Sequence, residues 1–125
     1  MASGIKKTVF LFFITFSAFA QNPNDITGKW KTEDHIKMQA EIYLGTDGLY
    51  YGKIIQDQDN PKTIGKIILK KLKYDNKSAT YKGLMSPPDK DAELNATLSL
   101  ENENKIKIVA RKLILSKTIY FTRVK

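Results

Sequence analysis

Ala92-Glu-Leu-Asn-Ala-Thr-Leu-Ser-Leu-Glu101 alternates apolar and polar residues without a break. Ala92, Leu94, Ala96, Leu98 and Leu100 fall on one side of an extended chain, and Glu93, Asn95, Thr97, Ser99 and Glu101 on the other. A period of two is the mark of a strand with one face on a core and one in water. Asn102-Glu103-Asn104 then turns the chain into Lys105–Lys112, where Ile106, Ile108 and Ala110 keep the same alternation. Two neighbouring antiparallel strands follow.

The same grammar runs outward in both directions. Upstream, Gly28–Thr32 reads as a first strand, Met38–Leu44 as a second with Met38, Ala40, Ile42 and Leu44 inward, and Leu49–Gln56 as its hairpin return. Thr46-Asp47-Gly48 makes the tight turn between them, because Asp-Gly readily adopts positive φ. Gly52 inside the return strand predicts a bulge or a close backbone approach. Ile67–Tyr74 is a fourth strand, although a short basic amphipathic helix competes there; its β-branched residues and the Asp75-Asn76 turn favour the strand. Ala79–Met85 is a fifth, ended by Pro87-Pro88, which cannot sit in a central ladder. Downstream, Ile114–Val124 is an eighth. Eight sequential strands on mostly short turns predict an all-β, up-and-down antiparallel barrel, which leaves no open sheet edge.

The N-terminus has another grammar. Lys6-Lys7, the apolar run Val9–Phe16 and Ser17-Ala-Phe-Ala20 are the basic, apolar and small-x-small regions of an export signal. Cleavage between Ala20 and Gln21 is expected, giving a signal over 1–20 and one domain over 21–125. The apolar run is shorter than the roughly 20 residues a spanning helix needs, which disfavours a retained anchor. A secreted protein of the periplasm or outside is the consequence. The chain has no cysteine, so neither a lipid-modified cysteine nor a disulfide is available. Five of the six phenylalanines lie in the signal, leaving Ile, Leu, Tyr, Trp30 and Phe121 for the core.

Without Lys6 and Lys7, 19 Lys and Arg face 13 Asp and Glu, a formal charge of +6. These cations are scattered lysines apart from Arg111 and Arg123, and the densest cluster, Lys66 to Lys73, has only Tyr74 beside it. Interleaved aromatics that would stack nucleobases are lacking, so no nucleic-acid partner is expected. His35 is the single histidine, and zinc sites want three or four ligands. Asp57-Gln-Asp-Asn60 lacks the glycine and glutamate of a calcium loop. Asp89, Asp91 and Glu93 gather carboxylates without a partner of obvious role, and no nucleophile elbow or phosphate loop is found. The reading is a non-catalytic protein with no metal and no cofactor.

Asp25-Ile-Thr-Gly-Lys-Trp-Lys-Thr-Glu-Asp34, Ala40-Glu-Ile-Tyr43, Gly48-Leu-Tyr-Tyr-Gly-Lys-Ile54, Pro88-Asp89 and Thr118-Ile-Tyr-Phe-Thr-Arg-Val124, in that order, resemble domain of unknown function 2147. That family of small exported bacterial proteins has a lipocalin-like barrel, and the resemblance spans nearly the whole chain after the signal. Phe121 stands where the family usually has Trp. The Gly28-x-Trp30 motif and Arg123 are also similar to the wider lipocalin superfamily, in which such a tryptophan closes one end of the barrel and the arginine lies across it. An indole face and a guanidinium attract each other, and first and last strands are neighbours in a closed barrel, so Gly28, Trp30 and Arg123 are expected to form a structural closure. The interior of an eight-stranded barrel is either filled by side chains or holds one small molecule. Ile42, Tyr50, Ile54, Leu98 and Ile108 are the candidate lining for a small apolar or amphiphilic ligand, and a filled structural core is the alternative.

Overall fold

Strands with one apolar face must cover it, and here they do so by curling onto themselves. The computed structural model describes residues 26–33 and 38–125. Eight strands follow in chain order: β1 (Gly28–Thr32), β2 (Met38–Leu44), β3 (Tyr50–Asp57), β4 (Ile67–Asp75), β5 (Thr80–Met85), β6 (Leu94–Asn102), β7 (Lys105–Lys112) and β8 (Leu115–Arg123). Each pairs antiparallel with the next, and β8 pairs back onto β1, so the sheet is a closed barrel. The segment expected to be an export signal, its expected cleavage site at Ala20 and Gln21, and His35 lie outside the described residues.

Inward positions carry the core: Trp30 on β1, Ala40 and Ile42 on β2, Tyr50 and Ile54 on β3, Leu69 and Leu72 on β4, Tyr81 on β5, Ala96 and Leu98 on β6, Ile106 and Ile108 on β7, Phe121 on β8. Alternation along β6 and β7 is as the sequence reads, with Ala96 facing Ala110 and Leu98 facing Ile108. Ile67–Asp75 is a strand rather than a helix, but an irregular one. Its pairing with β5 slips between Lys70 and Lys73, and Lys71 sits at φ 53°. The displaced backbone comes close to β5: a Cβ on Gly83 would lie 2.5 Å from the Lys70 carbonyl oxygen and 2.8 Å from that of Lys71. Glycine is the residue that lets this bulge exist. At Gly52 the pairing with β4 also shifts, and a Cβ there would meet the Leu69 side chain at 3.0 Å.

Strand ends differ from the sequence reading by a residue or two, for local reasons. Leu49 belongs to the turn, its N–H donating to Asp47 Oδ1 at 3.0 Å. Ala92 lies in the β5–β6 loop, and β6 starts at Leu94. Ile114 is turn rather than strand, because Lys112 pairs with Leu115 and leaves Leu113-Ile114 as the connection. Leu44 has inner-face parity yet is 52% exposed, since it lies beyond the core at the strand's end.

The up-and-down order sorts the connections into two ends. The β2–β3, β4–β5 and β6–β7 turns lie at one end with the start of β1. The β3–β4 and β5–β6 loops and the β7–β8 turn lie at the other. Among the described residues no helix is long and apolar enough to cross a membrane.

Candidate functional site

The end that holds the start of β1 is shut by side chains whose polar atoms are used up internally. Register places Trp30 directly opposite Arg123 across the β1–β8 pair. Trp30 is fully buried and its indole N–H donates to the Ile26 carbonyl at 2.9 Å. The Arg123 guanidinium lies 4.2 Å from the indole ring centroid. It also donates through Nε to the Glu103 carbonyl at 2.9 Å and through Nη1 to the Thr27 carbonyl at 3.0 Å. One planar cation thus ties the β6–β7 turn to the chain entering β1 and caps the tryptophan. Gly28 belongs to the same device. Its φ of +129° is one that side-chain-bearing residues rarely adopt, and a Cβ there would stand 2.9 Å from Arg123 Nη1.

The other end is not shut. A cavity of about 340 Å³ opens there, with Met38, Met85, Leu94, Ala110 and Ile119 as its apolar wall. Polar groups of the rim are Thr32, Asp57, Asp59, Asn60, Asp89 and Lys117. The β3–β4 loop is held in shape by Asp57, whose carboxylate accepts the Asn60 N–H at 3.1 Å and the Thr63 hydroxyl at 2.8 Å. Lys66 ties that loop to the next, donating through Nζ to the Pro88 carbonyl at 3.0 Å. Two loops of the mouth are therefore braced rather than loose.

Ile42, Tyr50, Ile54, Leu98 and Ile108 all point into the barrel and are buried, packed in the core below the mouth. None of them lines the cavity. The residues that do are those nearest the open rim: Ala110, two positions beyond Ile108 on β7; Leu94, at the start of β6; and Met38 and Ile119 on strands that flank β1. Period-two reading separates inside from outside but does not give depth along the axis. Depth is what divides filled core from open cup.

Among the described residues no three His, Asp or Glu side chains gather as a metal site. Asp89 lines the cavity, whereas Glu93 forms an ion pair with Lys70 at 3.3 Å. No family model matches the chain, and neither the search of curated proteins nor that of solved structures finds a match.

Proposed function

We propose that this protein is an exported, non-catalytic barrel module that binds one small apolar or amphiphilic molecule in its open mouth. The observation that carries this reading is the mouth itself, a cup of about 340 Å³ with an apolar wall and a charged rim above a filled core. That volume is at the low end of the roughly 300–1,000 Å³ usual for ligand pockets, which suits a short chain or a single ring system. The apolar part would replace water against Met38, Met85, Leu94 and Ile119, while a polar head stays among Asp57, Asp59, Asn60, Asp89 and Lys117. Export rests on the N-terminal signal pattern, and the resemblance of the motif order to domain of unknown function 2147 points the same way. A purely structural or interaction role is the second reading, favoured by how completely the lower barrel is packed.

Native mass spectrometry of the chain beginning at Gln21 tests the proposal, followed by titration with the apolar fluorophore N-phenyl-1-naphthylamine. A co-purified adduct, or one-to-one probe binding, is the expected result. Ala110→Phe and Ile119→Trp, which fill the cup from two sides, should each abolish it while β-type circular dichroism is kept. Absence of any adduct, with equal probe response in the original and both filled variants, would overturn the proposal in favour of the structural role.

A further inference from the structure

Leu113, Ile114 and Leu115 form the tip of the β7–β8 hairpin, and they are 95%, 96% and 70% exposed. Nothing in the folded barrel gains from them. A two-residue hairpin turn with positive φ at its first central residue alone favours glycine there, which accepts that φ without strain. Here Leu113 occupies φ 57°, and an isoleucine follows it. Among the described turns, those after β2 and β6 carry the polar residues Asp47-Gly48 and Glu103-Asn104, and the β4–β5 turn, which also holds a positive φ at Ala79, is otherwise polar and puts no large apolar side chain there. Soluble surfaces seldom present contiguous apolar side chains that touch nothing, and such patches mark contact sites.

The surroundings say what kind of contact. Arg111 and Lys112 precede the tip and Lys117 follows it, all exposed. From Lys105 to Lys125 there are seven Lys and Arg and no Asp or Glu. Asp89 and Lys90, on the β5–β6 loop, line a surface pocket with Lys112, Leu115 and Lys117, so cations outnumber the one carboxylate there. The carboxylates of this end, Asp57, Asp59, Asp89, Asp91 and Glu93, stand on the β3–β4 and β5–β6 connections, not on the hairpin. An apolar tip collared by cations is matched to an interface that is apolar inside and anionic at its surface.

We propose that the Leu113-Ile114-Leu115 tip inserts among the headgroups of an anionic lipid bilayer, with Arg111, Lys112 and Lys117 at the level of the phosphates. Because the tip projects from the open end, docking seats the barrel mouth-down on the membrane. Three apolar side chains with a few cations give a reversible, salt-sensitive attachment rather than a permanent anchor. The inference does not depend on the mouth holding a ligand.

The test is co-sedimentation of the chain beginning at Gln21 with vesicles of equal parts phosphatidylglycerol and phosphatidylcholine. Binding is expected to these vesicles, to weaken in pure phosphatidylcholine, and to fall as salt rises. L113G/I114N puts glycine at the one positive-φ position of the turn, so its thermal midpoint should hold or rise while vesicle affinity drops about tenfold or more. Ile114→Trp should be quenched by brominated lipid; Trp30, being buried, supplies an unchanging background. Equal vesicle binding by the original chain and L113G/I114N would overturn the proposal. So would sedimentation velocity showing that the tip drives self-association in solution while no vesicle binding occurs.

Discussion

Replacing Arg123 by lysine keeps the charge and removes the geometry, which makes it the sharpest probe of how the barrel is closed. Lysine can place one ammonium near one carbonyl. It cannot lie flat at 4.2 Å on Trp30 while donating to both Glu103 and Thr27. A hydrogen bond from a charged donor contributes roughly 1.5–3 kcal/mol, and the half-exposed position calls for the lower figure. Stacking on an aromatic face adds about 0.5–2 kcal/mol. Loss of one such hydrogen bond and part of the stacking gives a destabilisation of about 2 kcal/mol. In a domain of this size that lowers the thermal midpoint by roughly 8–16 °C.

Urea unfolding measures the loss, with Trp30 as built-in reporter, since it is the single tryptophan and is wholly buried. Trp30→Phe, followed by circular dichroism because no tryptophan then remains, supplies the second edge of a double-mutant cycle. The expected coupling is about 0.5–1.5 kcal/mol. If Arg123→Lys cost less than about 0.5 kcal/mol and the cycle closed to zero, the guanidinium would be a surface ornament and the closure argument would be wrong.

Three further outcomes follow from the same structure. Gly28→Ala forces a side chain into φ +129° and against Arg123 Nη1, so it should cost about 1–3 kcal/mol, and less in an Arg123→Lys background where the clash is relieved. Gly83→Ala drives a Cβ onto the Lys70 and Lys71 carbonyls and should cost at least about 2 kcal/mol by urea unfolding; a neutral result would mean that the β4 bulge moves freely. The third concerns pH. The Tyr51 hydroxyl, and after it the Leu49 N–H, hold the Asp47 carboxyl below the usual carboxylate range, while the same bond to Asp47 holds the Tyr51 phenol above its usual value. A carboxyl depressed by folding stabilises above its unfolded pKa and loses that contribution as pH falls through the folded value; a raised phenol stabilises below about 10 and loses it as pH rises. The β2–β3 turn should therefore loosen at both extremes. Tyr51→Phe should move the Asp47 carbon-13 titration upward, and an unmoved titration would refute the assignment.

The architecture was legible because its signals are local and repeated. Alternation at Leu94–Leu100 and Ile106–Ala110, the Asp47-Gly48 turn and the Pro87-Pro88 break each mark a strand or its end without reference to anything distant. The β4 bulge was not legible, since Lys70-Lys71 carries no local mark and the one clue, Gly83, stands on the neighbouring strand. The mouth was hidden for a related reason. Ile108 and Ala110 have the same parity and the same inward direction, yet only the second also walls the open cup, because a step of two residues moves about 7 Å along the strand. Neither spacing nor composition encodes how far the core's own side chains reach up the axis.

The hairpin tip escaped for the opposite reason: its residues look too much like strand. Lys112-Leu-Ile-Leu115 is apolar and β-branched enough to be read as the opening of the eighth strand, which would place Ile114 in a ladder. Register fixes it otherwise. Once Ala110 pairs with Lys117 and Lys112 with Leu115, two residues remain to make the turn, and they are leucine and isoleucine. The two ends of the barrel then contrast in a physically meaningful way. At the closed end the Trp30–Arg123 pair serves the fold: Trp30 is buried, its N–H is satisfied, and Arg123 is engaged on three sides. At the open end large apolar side chains stand in water on a turn they do not suit, and replacing Leu113-Ile114 with Gly-Asn should stabilise the protein. A sequence that keeps three contiguous exposed apolar residues on a strained turn is spending stability there on a contact outside itself, and the cations that flank it give that contact its sign.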